Sequence, residues 1–163
     1  MKYKYILFDW GNTLMVDSPS DQPMVAWPVV EAVAGAGEVL RRLGTQATLI
    51  VATSASISDE SQIRAALARV GLDTHIQRIY CFKNTGLKKS PAFYQYILQD
   101  LGAAPAQAVM VGDSFENDVL AANQAGLYAI WFNPDTNEKR EADRHTTIHA
   151  LPELPPLLIG ASS

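Results

Sequence analysis

The stretch Tyr5-Ile6-Leu7-Phe8-Asp9-Trp10-Gly11-Asn12-Thr13 decides how the rest of the chain is read. A run of strand-forming apolar residues ends abruptly at a carboxylate, and a Gly-Asn turn signal follows at once. In a parallel α/β sheet, ligands bind beyond the carboxyl ends of the strands. Asp9 would then project into the place where such a fold does its chemistry. The plainer reading is an Asp that caps a turn, as Asp often does after a strand. What the other strands carry at the same end decides between the two.

The same pattern recurs along the chain. Residues 47–52 form a second apolar strand that runs into Thr53, Ser54 and Ser56. Residues 76–82 read as a third strand, followed by a polar loop that contains Lys83, Lys88 and Lys89. Residues 108–111 form a fourth, followed by Gly112-Asp113-Ser114-Phe115-Glu116-Asn117-Asp118. Residues 128–132 and 146–148 complete the set, the last at an edge. Between the strands lie helical patterns. The first spans residues 28–43, with Val29, Val33, Ala36, Val39, Leu40 and Leu43 as its stripe. The next, capped by Ser58 or Asp59, presents Ile63, Ala66, Leu67 and Val70. Ser90-Pro91 opens another that carries Tyr94, Ile97, Leu98 and Leu101. A further helix ends at Gly126. Residues 14–27 are irregular, and the charged residues 135–145 are expected to be solvated. Strands alternating with crossover helices mean an α/β fold, doubly wound (Rossmann-like), with a mostly parallel sheet covered on both faces. One domain over residues 1–163 is expected.

Composition narrows the function. With 48% apolar and 18% charged residues, the chain is globular and large enough to bury a core. A formal net charge of -4 argues against nucleic acid or an anionic membrane as a partner. It leaves room for an anionic substrate, because a bound cation or a local lysine cluster inverts the field of a site. The lone Cys81 excludes a disulfide framework, and in the run Ile79-Tyr80-Cys81-Phe82 it reads as a buried structural thiol. No apolar run has the length of a membrane span, and the amino terminus does not read as a signal peptide, so a cytoplasmic location is expected.

Parallel strands put their carboxyl ends along one edge of the sheet. Asp9, Thr53 and Asp113 should therefore converge in one crevice, and Lys88 and Lys89 belong to the same edge. Two carboxylates, a hydroxyl and an ammonium suit a divalent cation and a tetrahedral anion. Mg²⁺ takes oxygen ligands and commonly uses one or two carboxylates with substrate phosphate oxygens. A carboxylate can also attack phosphorus to give an aspartyl phosphate, provided fixed donors neutralise the phosphoryl charge. His75, His145 and His149 have no ligand-like spacing and are expected to be structural or surface residues.

Four segments resemble the four motifs of the haloacid dehalogenase-like hydrolase superfamily, whose members are mostly Mg²⁺-dependent phosphatases. Phe8-Asp9-Trp10-Gly11-Asn12-Thr13-Leu14 is similar to the first, which implies Asp9 as nucleophile and metal ligand. Thr53 matches the hydroxyl residue that holds the phosphoryl group, with Ser54 beside it. Gly86 to Tyr94 resembles the third motif, source of a phosphate-neutralising lysine. Counting back from Pro91 and Tyr94 favours Lys88, while counting forward from Gly86 also admits Lys89. Gly112 to Asp118 is the strongest match, implying Asp113 as a metal ligand and Asp118, with Asn117, as support. The resemblance runs from Tyr5 to about Pro134 and recurs in the tail, Ile148 to Leu154.

The chain also departs from this pattern. Phosphatases of the superfamily usually carry a second Asp two positions after the nucleophile as general acid and base; here that position is Gly11. Its backbone carbonyl still serves as the implied third Mg²⁺ ligand. General acid–base catalysis is worth roughly 10²–10⁴-fold, so a slow enzyme, one specialised for a good leaving group, or a phosphate- and Mg²⁺-binding relative without turnover is the consequence to test. Asp17 is the nearest later carboxylate. Relatives of the dehalogenase type lack an acidic fourth motif, which this chain keeps. Relatives of the phosphonate-cleaving type need a lysine from a helical cap, for which residues 14–27 are too short. An uncapped cleft suits a phosphorylated small molecule, an exposed phosphate on a larger substrate, or coverage by a second copy. Trp10 stands where it would contact such a substrate.

Overall fold

A computed structural model describes residues 2–160. Six strands, β1 (Tyr5–Phe8), β2 (Thr48–Ala52), β3 (Arg78–Tyr80), β4 (Ala108–Gly112), β5 (Tyr128–Phe132) and β6 (His145–Ile148), form one sheet in the order β3-β2-β1-β4-β5-β6. Every pairing is parallel. The chain first winds outward from β1 through β2 to β3. It then returns to the other side of β1 and winds outward again. The crevice of a doubly wound sheet opens where that reversal occurs, here at the carboxyl ends of β1 and β4.

The helices are α1 (Ala36–Leu43), α2 (Glu60–Arg69), α3 (Phe82–Thr85), α4 (Pro91–Leu101), α5 (Ala121–Gln124) and α6 (Leu154–Ile159). They cover both faces, as the near-continuous apolar strands require. Ile6 and Phe8 of β1 point into a core with Leu40 and Leu43 of α1, Ile63 and Leu67 of α2 and Leu154 of α6. Leu7 points the opposite way, into a core with Phe93, Tyr94 and Ile97 of α4 and Ala122 of α5. Each large aliphatic side chain buried this way contributes about 1.5–3 kcal/mol, so the two cores fix the direction of β1 and hence of Asp9. The helix starts follow local chemistry. Asp59 accepts from the Gln62 amide at 2.8 Å, and the Gln62 side chain accepts from the Asp59 amide at 2.9 Å, a reciprocal cap on α2. Ser90 caps α4 with Pro91 in its first position.

The helix expected over residues 28–43 forms only from Ala36 onward. Val29, assigned to its apolar stripe, is 71% exposed. The preceding residues are taken by a competing pairing. The Val16 amide donates to Glu31 O and the Val33 amide to Leu14 O, around an antiparallel bridge between Met15 and Ala32. Gly35, at φ 86°, turns the chain from this strap into α1, a left-handed conformation that favours glycine. Residues 17–30 thus form a loop whose two ends are tied together, and its Met24–Ala26 segment makes a single 3₁₀ turn. Arg69 of α2 clamps the loop by donating to the carbonyls of Val25, Trp27 and Pro28 at 3.2, 2.6 and 3.3 Å. The third strand is shorter than the expected residues 76–82, because Cys81 already turns into α3. Cys81 itself is fully buried. Among the described residues no helix is long and apolar enough to cross a membrane.

Candidate active site

Asp9 extends the β1–β4 pairing by one residue, its amide donating to Val111 O at 2.9 Å. Its side chain then leaves the sheet at the floor of an open cleft of about 480 Å³. Lys89 comes to it from the loop before α4. The Lys89 Nζ donates to Asp9 Oδ1 at 2.7 Å and lies 2.6 Å from Asp118 Oδ1. This ammonium is almost wholly buried, its side chain 5% exposed. Burial alone would depress its pKa, but the charges of Asp9 and Asp118 outweigh that effect and hold it above the ordinary lysine value. Lys89 thus bridges the two carboxylates, Asp9 on the cleft side and Asp118 behind it.

Asp118 is held from two sides. It is fully buried in a π-helical turn, Phe115–Leu120, and its Oδ2 accepts from the Ser114 amide at 3.0 Å. Gly112 makes room for it, because a Cβ at position 112 would overlap the Asp118 carboxylate. Burial raises the Asp118 carboxyl to about 6, against the pull of Lys89. Asp113 lies on the other side of Asp9. Its backbone carbonyl accepts from the Trp131 indole at 2.9 Å. Thr13, fully buried, directs its hydroxyl toward Asp9 Oδ2 at 3.3 Å and Asp113 Oδ1 at 3.4 Å. Burial, then the hydrogen bond and charge of Asp9, pushes the Asp113 carboxyl up to about 8. One ligand oxygen from each of Asp9, Asp113 and Asp118 can be chosen so that all lie within 4.8 Å of one another. Three carboxylates against one ammonium leave a negative excess that suits a hard divalent cation.

The opposite wall comes from β2. Thr53 is 4% exposed, and its Oγ1 accepts from the Ala55 amide at 3.1 Å. The Ser54 hydroxyl accepts from the Lys89 amide at 2.8 Å, which fixes the loop that delivers the lysine. Both residues line the cleft.

A model of the haloacid dehalogenase-like hydrolases matches residues 26–126. The chain belongs to this family. Among curated members, ribulose-1,5-bisphosphate 5-phosphatase of Halopiger xanaduensis is 31% identical over 69% of the chain and 47% of its own length. Pyrimidine 5'-nucleotidase of Escherichia coli is 30% identical over 76% of the chain and 55% of its own length. The chain thus spans about half the length of these relatives. Its fold matches that of an uncharacterized Listeria monocytogenes protein with a TM-score of 0.83, at 24% identity over 96% of this chain and 97% of the other.

Within this haloacid dehalogenase-like cleft, the lysine favoured by counting back from Pro91 is displaced by one. Lys88 is exposed, and Lys89 is the residue brought to Asp9 and Asp118. The cause is the local turn: the Lys88 carbonyl accepts from Ser90 Oγ and the Lys89 amide is held by Ser54, so only the second lysine points inward. Trp10 lines the cleft beside Asp9 but is largely buried. It is 4% exposed, and its indole nitrogen lies 3.2 Å from Met15 Sδ. Asn117 is exposed at the rim and lines the cleft. Two residues carried no site assignment in the sequence, where Tyr94 reads as part of a helical stripe. Thr13 was visible only as the hydroxyl four residues after Asp9. Tyr94, fully buried, donates to the carbonyl of Asn117 at 2.6 Å and pins the turn that carries Asp118. His149, whose Nδ1 lies 2.7 Å from Asn133 O, belongs to the β5–β6 end of the sheet.

Proposed function

We propose that the chain is a Mg²⁺-dependent phosphomonoesterase that works through an aspartyl phosphate on Asp9. The observation that carries this reading is Lys89, buried between Asp9 and Asp118 at the mouth of β1. A carboxylate paired with an immobilised ammonium is positioned to receive a phosphoryl group whose charge that ammonium offsets. Thr53 and Ser54 supply hydroxyls and loop amides on the facing wall. Asp118 acts through Lys89, and Asn117 lines the approach. Mg²⁺ would be held by Asp9, Asp113 and the Gly11 carbonyl, where its charge offsets that of the phosphoryl oxygens. The acidic cluster favours this over dehalogenation, which has no use for a cation site. The substrate is a phosphorylated small molecule or an exposed phosphate on a larger one, because the cleft is open and walled mainly by residues 17–30 and the loop after β2.

Incubation with an aryl phosphate and Mg²⁺ tests the reading. Phosphate release that chelation stops and that Asp9→Asn abolishes is expected. Release without a divalent cation would overturn the metal assignment, and no release at all would favour a binding protein without turnover.

A further inference from the structure

Cleavage of a phosphomonoester leaves an alkoxide that must take up a proton, and water must later give one up. The cleft holds few groups able to do this. Among the described residues its carboxylates are Asp9, Asp113 and Asp17, with Asp118 buried behind them. Asp9 is committed to phosphorus, Asp113 to the cation, and Asp118 to Lys89. Lys89 lies between two carboxylates that hold its proton in place. Asp17 alone has no other task.

Its placement is unusual. The Asp17 amide donates to Asn12 Oδ1 at 2.9 Å, and Asp17 Oδ1 accepts from the Ser18 amide at 2.9 Å. Asn12 sits at φ 60°, a left-handed turn that Asn tolerates and that folds the chain back over Gly11. Asp17 Oδ2 makes no hydrogen bond among the described residues. It rests against the bare Cα of Gly11: a Cβ built at position 11 would lie 2.6 Å from that oxygen and 3.1 Å from Asp17 Cβ. Any side chain at position 11 therefore competes with the Asp17 carboxylate for the same space.

We propose that Asp17 is the proton-transfer residue of this cleft and that position 11 is glycine because it admits the Asp17 carboxylate. The inference rests on the phosphomonoesterase reading above. In the first step an Asp9 oxygen forms a bond to phosphorus, the bond from phosphorus to the ester oxygen breaks, and the Asp17 carboxyl gives its proton to that oxygen. In the second step water bonds to phosphorus, the Asp9 oxygen leaves as carboxylate, and Asp17 takes up the proton that water releases. Asp9 and Asp17 return to their starting states, and the products are an alcohol and inorganic phosphate.

The test compares Asp17→Asn, Gly11→Ala and Asp9→Asn with the unaltered chain on ethyl phosphate and dinitrophenyl phosphate. Ethoxide needs the proton and dinitrophenolate does not. Asp17→Asn should lower kcat/KM for ethyl phosphate by roughly 10²–10⁴-fold while leaving that for dinitrophenyl phosphate nearly unchanged. The second step still lacks its base, so a burst of dinitrophenol should precede slow turnover. Gly11→Ala, which crowds Asp17 out beside the carbonyl proposed for Mg²⁺, should lower ethyl phosphate turnover by a larger factor than dinitrophenyl phosphate turnover. A loss merely structural in origin would lower both substrates alike and overturn the proposal. Ethyl phosphate turnover that depends on Asp9 and survives Asp17→Asn would overturn the role of Asp17 alone. Turnover by Asp9→Asn equal to that of the unaltered chain would overturn the phosphomonoesterase reading itself.

Discussion

Replacing Lys89 by Met strands Asp118 in a dry site and strips Asp9 of its counter-charge, whereas replacing Lys88 by Met alters a solvated loop. Removing one partner of a buried pair costs about 3–5 kcal/mol, because the charge left behind has no water to turn to. Lys89→Met should therefore lower the urea midpoint markedly and abolish turnover. Lys88→Met should stay within about 0.5 kcal/mol of the parent and keep its activity, as exposed substitutions do. Equal effects of the two would contradict the assignment of Lys89. Gly112 offers a second probe at this scale. An added methyl group overlaps the Asp118 carboxylate and must push it away from Lys89 and from the Ser114 amide. Gly112→Ala should lose activity with a smaller loss of stability than Lys89→Met, measured in the same urea series. The sequence made Asp9, Thr53 and Asp113 legible because each ends an apolar strand. It left the two lysines undecided, since adjacent residues of one type differ only in which hydrogen bonds their backbone makes.

Among the elements, the loop of residues 17–30 carries the most consequence, and it is also where the sequence misled. Val29, Val33 and Ala36 fit a helical period, yet the amides of Val16 and Val33 take partners across the strap instead. A helical stripe records local spacing and carries no information about a pairing with residues 14–16. The loop builds one wall of the cleft with Asp17, Met24 and Trp27, and Arg69 holds it against α2. Arg69→Ala should raise amide exchange across residues 17–30 and increase KM, with a melting temperature close to that of the parent. Unchanged exchange would show that the strap alone orders the loop. The strands, by contrast, were readable to within a residue or two, because parallel strands buried on both faces are apolar throughout.

At the level of the whole molecule, the acidic cluster links stability to pH and to metal. Asp113, raised to about 8, stays protonated in the folded chain over a range in which an unfolded Asp is ionised. The folded state thus binds more protons, and the stability of the metal-free protein should fall as pH rises from about 4 toward 8. A cation bound at the cluster stabilises the ionised carboxylates. Mg²⁺ should therefore raise the melting temperature more at pH 8 than at pH 5, by an amount that follows RT ln(1 + [L]/Kd). A metal effect that is absent, or larger at the lower pH, would contradict a cation site at Asp9 and Asp113. The doubly wound order was legible as a class because strands and helices alternate. The exact crevice emerges only from the reversal at β1, which sequence adjacency does not display.

An aspartyl phosphate on Asp9 is a covalent species that can be trapped. Acid-quenching the protein during turnover of an aryl phosphate with Mg²⁺, followed by peptide mapping, should find the phosphoryl group on Asp9, with none retained by Asp9→Asn. Phosphate release without any phosphorylated Asp9 peptide, or a phosphoryl group on another residue, would contradict the account.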